Sequence, residues 1–317
     1  MTRKEIGILL LLVALCTVVA IASPQFLSVA NLQNLTRLVG TYGIFSIGVG
    51  IVIITGGIDL SVGSICALLG VLLSMMLVEW RWPAPLALAA ILALGGGLGA
   101  AHGVLIARLR LQSFIVTLCG LLLYRGAARY IANDSTKGFG TGSGFEWARV
   151  LASGSVGGVP MPFVVMCVVA ALAWVLLHRS VYGRYLFAVG HNEEAARYSG
   201  IGTRAVIAWA YVLSGVLAAV SAIIIAFYTN SISPASHGNF YELYAIAAAV
   251  VGGCSLRGGE GSVLGIVLGA VLLQVLRNLV NLLDIPGSLD FAVMGAVILI
   301  GAATDELFGR RLRTRRA

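Results

Sequence analysis

Between two apolar runs, each long enough to cross a membrane, lies the stretch Ile54-Thr55-Gly56-Gly57-Ile58-Asp59-Leu60-Ser61-Val62-Gly63-Ser64. It holds one carboxylate, two threonine or serine hydroxyls ahead of a third, and three glycines. Hydrocarbon does not tolerate an unpaired Asp or an irregular backbone facing lipid. Such a break is therefore shielded inside a helical bundle or lies at a membrane surface. The sequence reads it as a turn between two half-buried helices near a translocation path.

The surroundings agree with a membrane setting. Hydrophobic residues make up 59% of the 317, and charged residues only 11%, against about 25% in a soluble domain. A span needs about 20 apolar residues. Candidate spans fall at 6–23, 38–55, 60–78, 84–107, 112–131, 162–178, 205–228, 241–254, 262–281 and 289–307. The expected fold is all-α: a single polytopic membrane domain over 1–317, of about ten helices. Broken or re-entrant segments are expected near 55–63 and 252–262. The first apolar run, behind Arg3 and Lys4, has features of a secretory signal, but its length favours an uncleaved first span.

Basic residues set the orientation. With the N-terminus in the cytoplasm and strict alternation, 14 of the 21 Lys and Arg residues fall inside. These include Arg108, Arg110, the loop 179–204 and the basic tail 308–317. Both termini are then cytoplasmic. The net charge of +8 is explained by membrane orientation, and no nucleic-acid partner is expected. The five cysteines read as small buried hydrophobes without a disulfide or metal role.

Two loops are long enough to carry function. The periplasmic loop, about 132–161, reads as flexible and able to touch a partner. Its glycine-rich run 138–144 is not a phosphate loop, because no Gly-Lys-Ser/Thr follows. The cytoplasmic loop contains 188–201, which reads as a short amphipathic helix. Asn192 is its N-cap, Glu193 and Glu194 fill the first turn, and Gly200 is the stop. Small Ala195 and Ala196 allow close approach of another surface. An ordinary solvated loop helix explains the same pattern. A second glycine-rich break, 252–262, echoes the first.

No hydrolase, metalloprotease or nucleotide-binding motif occurs, and no metal-ligand spacing joins the four histidines. The chain is expected not to be an enzyme. Two readings stand for Asp59. It caps a half-helix whose positive end faces the pathway, or it is a structural cap without substrate contact. Ser61 follows it. Glu242 has the same two readings, as a cap or at the periplasmic mouth. Arg125 and Arg129 read as snorkelling to the outer interface. Ser113 and Phe114 suit a sugar path, although Phe114 also fits an ordinary core or interface position. No chain of acids or histidines is evident through the spans, which argues against proton coupling.

The run Gly56-Gly57-Ile58-Asp59-Leu60-Ser61-Val62-Gly63-Ser64 resembles the signature of ribose-type permeases of bacterial ABC importers. Residues 188–201 resemble that family's loop that docks on the ATPase. Glu242-Leu243-Tyr244-Ala245-Ile246-Ala247, with Gly252-Gly253 and Gly261-Ser262, resembles its C-terminal half. Many relatives carry Asp where Tyr244 stands here, which weakens any substrate assignment taken from them.

The resemblance implies a permease for a monosaccharide, ribose or another pentose, in the bacterial inner membrane. It implies a second permease subunit, the same chain or another, and a cytoplasmic ATPase with two nucleotide-binding halves. It also implies a periplasmic sugar-binding protein. ATP and Mg would bind the ATPase, so this chain would hold no cofactor and no metal. Residues 192–199 become a coupling helix, with Gly190, Asn192, Glu193, Glu194, Ala195, Ala196, Arg197 and Gly200 as coupling residues. Gly56, Gly57, Asp59, Ser61, Phe114 and Glu242 become pathway or structural residues. The competing readings are a branched-chain amino acid or nucleoside permease of the same superfamily, and a stand-alone secondary carrier.

Overall fold

The structure is a computed structural model and describes residues 3–140 and 144–283, with a few isolated positions beyond. Eight of its helices are long and apolar enough to cross a membrane. They are α1 (Arg3–Ala22), α2 (Val29–Ile54), α3 (Val62–Ser74), α4 (Ala84–Ala107), α5 (Ser113–Ile131), α7 (Met161–His178), α10 (Thr203–Thr229) and α12 (Val263–Leu282). A π-helical turn, Met75–Glu79, extends α3. Among the described residues there are also four shorter α-helices, α6 (Glu146–Ser153), α8 (Val181–His191), α9 (Glu193–Tyr198) and α11 (Tyr241–Val251), and a 3-10 turn, Pro24–Leu27. The span expected at 241–254 is thus only the 11-residue α11, roughly 16 Å at 1.5 Å per residue, half of a hydrocarbon core. The span expected at 289–307 lies outside the described residues.

Helix α2 is the axis of the bundle. Every residue from Val39 to Ile54 is buried, and it packs against α7, α10, α11 and α12. In lipid, apolar surface gives helices no reason to associate, so close packing at small residues does. A Cβ on Gly40 would strike the backbone of Pro162 and Phe163 of α7, and one on Gly48 would press on Ser214 of α10. On α4, Gly95, Gly99 and Gly103 form one stripe at intervals of four. A Cβ at each would meet Gly215, Tyr211 and Ala208 of α10 respectively.

The outer side of the bundle is more ordered than the sequence suggests. Strand β1 (Lys137–Gly138) pairs antiparallel with β4 (Ser231–Ile232), and β2 (Ser155–Val156) with β3 (Val159–Pro160). Phe139 and Phe145 pack on Phe227 of α10, with ring centroids 5.2 and 6.0 Å away. Ser74 Oγ donates to the Gly138 carbonyl at 3.0 Å. Part of the loop expected to be flexible thus packs against the bundle. Its aromatics reach α10, and Ala148 and Ala152 of α6 are buried.

The polar residues Asn31, Gln33, Asn34 and Thr36, ahead of the span expected at 38–55, belong to α2 and are helical. Ser28 caps α2, and Asn31 in its first turn exchanges hydrogen bonds with Asn278 of α12. At the other membrane face, Lys4 pairs with Glu260 and Ser262 donates to Glu5. These contacts dock α1 beside the start of α12.

Candidate functional site: a junction of two helix breaks and a cytoplasmic helix

Helix α2 ends in a left-handed glycine. Gly56, at φ 81°, donates to the Ile53 carbonyl, and Gly57 donates to the Val52 carbonyl. That pair of bonds is the Schellman stop, which an L side chain at the glycine position would strain. Helix α11 ends the same way. Gly253, at φ 93°, donates to Val250, and Cys254 donates to Ala249. The echo between the two sequence breaks is thus a shared backbone device. The second break also caps its outgoing helix, since Ser262 Oγ accepts from the Gly265 amide.

The two breaks meet. The Gly259 amide donates to the Ile54 carbonyl at 2.9 Å. Gly258, at φ 85°, sits so close that a Cβ there would meet Gly56 and the Gly190 carbonyl. Gly190, near the end of α8, closes the junction from the third side. A Cβ on it would fall on the Ile54 carbonyl oxygen and the Gly259 amide.

Two residues beyond Gly190 the chain turns into α9. The sequence predicted one helix over 188–201, whereas the structure makes two. Asn192, at φ −161°, breaks the helix and accepts from the Ala195 amide at 2.9 Å. Its capping role is as expected. Gly200, at φ 83°, supplies the stop, with Gly200 donating to Arg197 and Ile201 to Ala196. Ala195 is exposed, but Ala196 is buried against this chain, so only one of the two small residues is open to a partner. Thr203 Oγ1 donates to Glu193 at 3.2 Å, tying α9 to the start of α10. Glu194 lies 3.7 Å from Arg197 on the exposed face.

Asp59 occupies a different place from the expected cap. The residue that caps α3 is Ser61, whose side chain makes no capping bond. Asp59 instead folds the break itself, accepting from the Ser61 amide at 3.0 Å and from Ser61 Oγ at 2.6 Å. Its other oxygen accepts from Ser214 of α10 at 2.8 Å. The group is 1% exposed, so it has no free face for a ligand. Ser113 and Thr117 of α5 bond the Ile58 amide and carbonyl, and the Tyr211 hydroxyl donates to the same carbonyl. Phe114 takes no part: it is 45% exposed, on the outside of α5.

Two residues that the sequence did not single out complete the polar core. His102, in the glycine stripe of α4, lies 3.5 Å from Ser61 Oγ and 2.9 Å from the Tyr124 hydroxyl. Asp59, Ser61, His102 and Tyr124 thus form a connected buried chain, where the sequence showed no such series. Arg125 does not snorkel. It donates to the Pro234 and His237 carbonyls at 2.8 and 2.6 Å, pinning the connection between α10 and α11. Arg129 does stay at the surface, paired with Asp134. Glu242 is in the first turn of α11, beyond its cap residue Phe240. It is buried and sits over Gly63, where a Cβ would strike its carboxylate.

Known proteins are similar to this chain in sequence along nearly its whole length. The family described as a branched-chain amino acid transport system permease component matches residues 31–302. A ribose import permease of Escherichia coli is 39% identical over 306 residues, 96% of this chain and 94% of that protein. One from Bacillus subtilis is 38% identical over 306 residues, 96% and 93% of the two chains. The chain belongs to the ribose-type ABC permeases. A xylose transport system permease of Escherichia coli is also similar, at 32% over 90% of this chain and 87% of its own. No solved structure matches. A multi-pass permease of the bacterial inner membrane follows from this membership and from the eight apolar spans.

Proposed function

We propose that this chain forms half of the translocation path of an ATP-driven importer for a pentose such as ribose, with α9 as the part that feels ATP hydrolysis. The observation that carries the reading is the three-way junction. Gly190 is two residues from the Asn192 cap and seats on both helix breaks at once. A displacement of α9 by a cytoplasmic ATPase would reach Ile54 and Gly259 through backbone contact, without a flexible side chain between. Interfaces packed this closely respond by switching between arrangements, not by gradual deformation.

The partners in this reading are an ATPase with two nucleotide-binding halves, a second permease subunit and a periplasmic sugar-binding protein. ATP and Mg bind the ATPase, and this chain contributes no catalytic group. Full-length similarity to ribose permeases and a second match to a xylose permease favour a pentose.

The family description names branched-chain amino acids, so a branched-chain amino acid cargo is the second reading. Reconstitution separates the two. Proteoliposomes holding this chain, its ATPase and its binding protein should import labelled ribose only with internal ATP. Import of leucine in place of ribose would establish the second reading. Uptake by this chain alone on an ion gradient would overturn both.

A further inference from the structure

We propose that the cleft between the cytoplasmic ends of α4 and α10 is a binding site for one anionic phospholipid. The cleft encloses about 640 Å³ and is lined by Ala100, Gly103, Val104 and Arg108 on the α4 side. Arg204, Ala205, Ala208, Trp209 and Val212 line the α10 side. Two features identify the occupant.

The first is charge. Arg108 and Arg204 both line the cleft, one from each wall, and no acidic side chain does. Among the described residues neither guanidinium takes part in an ion pair or hydrogen bond. Other exposed arginines, Arg81, Arg110 and Arg184, are also unpaired among the described residues; what sets Arg108 and Arg204 apart is that both line one apolar cleft. Two guanidiniums on one cleft without a counter-charge suit a phosphate diester, whose oxygens can accept from both.

The second is the shape of the walls. Each wall runs eight residues from its arginine into the bundle, to Ala100 on α4 and to Val212 on α10. That is roughly 12 Å at 1.5 Å per residue. Beyond the arginines every lining side chain is Gly, Ala, Val or Trp. Gly103 and Ala208, the last contact of the glycine stripe between α4 and α10, form part of the groove wall. Trp209 is 59% exposed in the second turn of α10, and indoles near span ends favour the membrane interface. A free phosphate or an acidic peptide would use the arginines but not the apolar groove. A headgroup with one acyl chain uses both, and basic pockets between spans on the cytoplasmic side take anionic lipids on this principle.

The test uses the full chain purified in detergent and stripped of lipid. Native mass spectrometry and thermal unfolding are followed while phosphatidylglycerol, phosphatidylcholine or inorganic phosphate is added. Phosphatidylglycerol should be retained on the protein and raise its melting temperature, whereas phosphatidylcholine and phosphate should not. The double variant Arg108→Gln with Arg204→Gln should weaken retention roughly thirtyfold. A control removing two charges outside the cleft, Arg110→Gln with Arg184→Gln, should retain the lipid. Ala205→Phe fills the groove without changing charge and should also reduce retention. Equal losses in both double variants would overturn the site, as would a stability gain from phosphate alone. So would a photo-crosslinker at position 209 that captures a second copy of the chain or the ATPase.

Discussion

The Gly259 amide donates to the Ile54 carbonyl at 2.9 Å, across 205 positions of sequence. The bond joins the last turn of α2 to the loop between α11 and α12. Both loops begin with a Schellman glycine, so the chain uses one backbone device twice and then packs the two copies together. Gly190 covers the bond from the cytoplasmic side. No side chain fits between the three segments, and a push on one therefore acts on the others.

Gly190→Ala tests that contact directly. The added Cβ falls on the Ile54 oxygen and the Gly259 nitrogen, both backbone atoms that cannot swing aside. Overpacking of this kind costs about 1–3 kcal/mol. Membrane insertion should be normal, because no span changes hydropathy. The melting temperature of the purified protein should fall by several degrees, and binding-protein-dependent transport should fall further than stability accounts for. Wild-type transport in Gly190→Ala would show that α9 does not act through the junction.

Asp59→Ala should damage assembly more than cargo choice. It leaves the Ser61 amide, Ser61 Oγ and Ser214 Oγ without their acceptor. Hydrogen bonds to a charged group contribute about 1.5–3 kcal/mol each, with strong non-additivity. Asp59→Asn keeps one carbonyl oxygen and should be milder. The readout is the yield of monodisperse protein together with competition by other sugars in transport. A variant that assembles normally but imports a different sugar would place Asp59 in the substrate path.

Arg125→Gln should loosen the connection between α10 and α11. The wild-type guanidinium bonds two carbonyls at once, those of Pro234 and His237, and a neutral amide on a shorter stem reaches at most one. Amide hydrogen exchange over 230–240 should rise by about tenfold or more, while exchange in β1 changes less. Unchanged protection there would mean that the loop is held by β4 and the Ser233 to His237 turn alone.

The breaks expected near 55–63 and 252–262 were legible in the sequence, because glycines and polar residues inside apolar runs have few structural solutions. So were the Asn192 cap and the Gly200 stop, which are local backbone chemistry. What brought the site together was not legible. In a membrane bundle the lipid-facing and protein-facing sides of a helix are equally apolar, so periodicity does not mark the buried face. His102 carried one usable signal, its place between Gly99 and Gly103 on the stripe that α10 covers. Arg125 carried a misleading one, since its spacing from Arg129 resembles a pair at the interface. The outer layer was missed because two-residue strands have no local signature, and β1 depends on a partner about 90 positions away.

Stability should also depend on pH through His237. This residue lies in the connection between α10 and α11, outside the spans. Burial lowers its pKa below the ordinary value near 6.5, and the Arg125 cation adds to that. The Ser233 backbone opposes the shift in part, but the Ser233 amide donates to Nδ1 at 2.9 Å and so favours the neutral ring. With the folded pKa below the unfolded one, the unfolded chain takes up the proton first as pH falls. The contribution is therefore fully present above about pH 6.5 and is lost as pH drops from there through the folded pKa. Thermal unfolding of the purified permease between pH 7.5 and pH 5 should show this decline, and His237→Gln should flatten it. An unchanged slope in that variant would assign the acid sensitivity to other groups.

Glu193→Lys separates coupling from folding. Glu193 accepts from Thr203 and fixes α9 to α10, whereas Glu194 touches only Arg197 on the exposed face. The exposed Glu194–Arg197 pair contributes at most about 1 kcal/mol, so Glu194→Lys should leave stability unchanged. If α9 seats on an ATPase, both reversals place a cation at its N-terminal turn and should reduce ATP-driven import. Only Glu193→Lys should also free α9 from α10, so its import should fall more steeply while ATP hydrolysis continues. The comparison is the ratio of sugar imported to ATP hydrolysed in reconstituted vesicles. Equal ratios for wild type and both variants would remove α9 from the coupling path and leave the junction a structural knot.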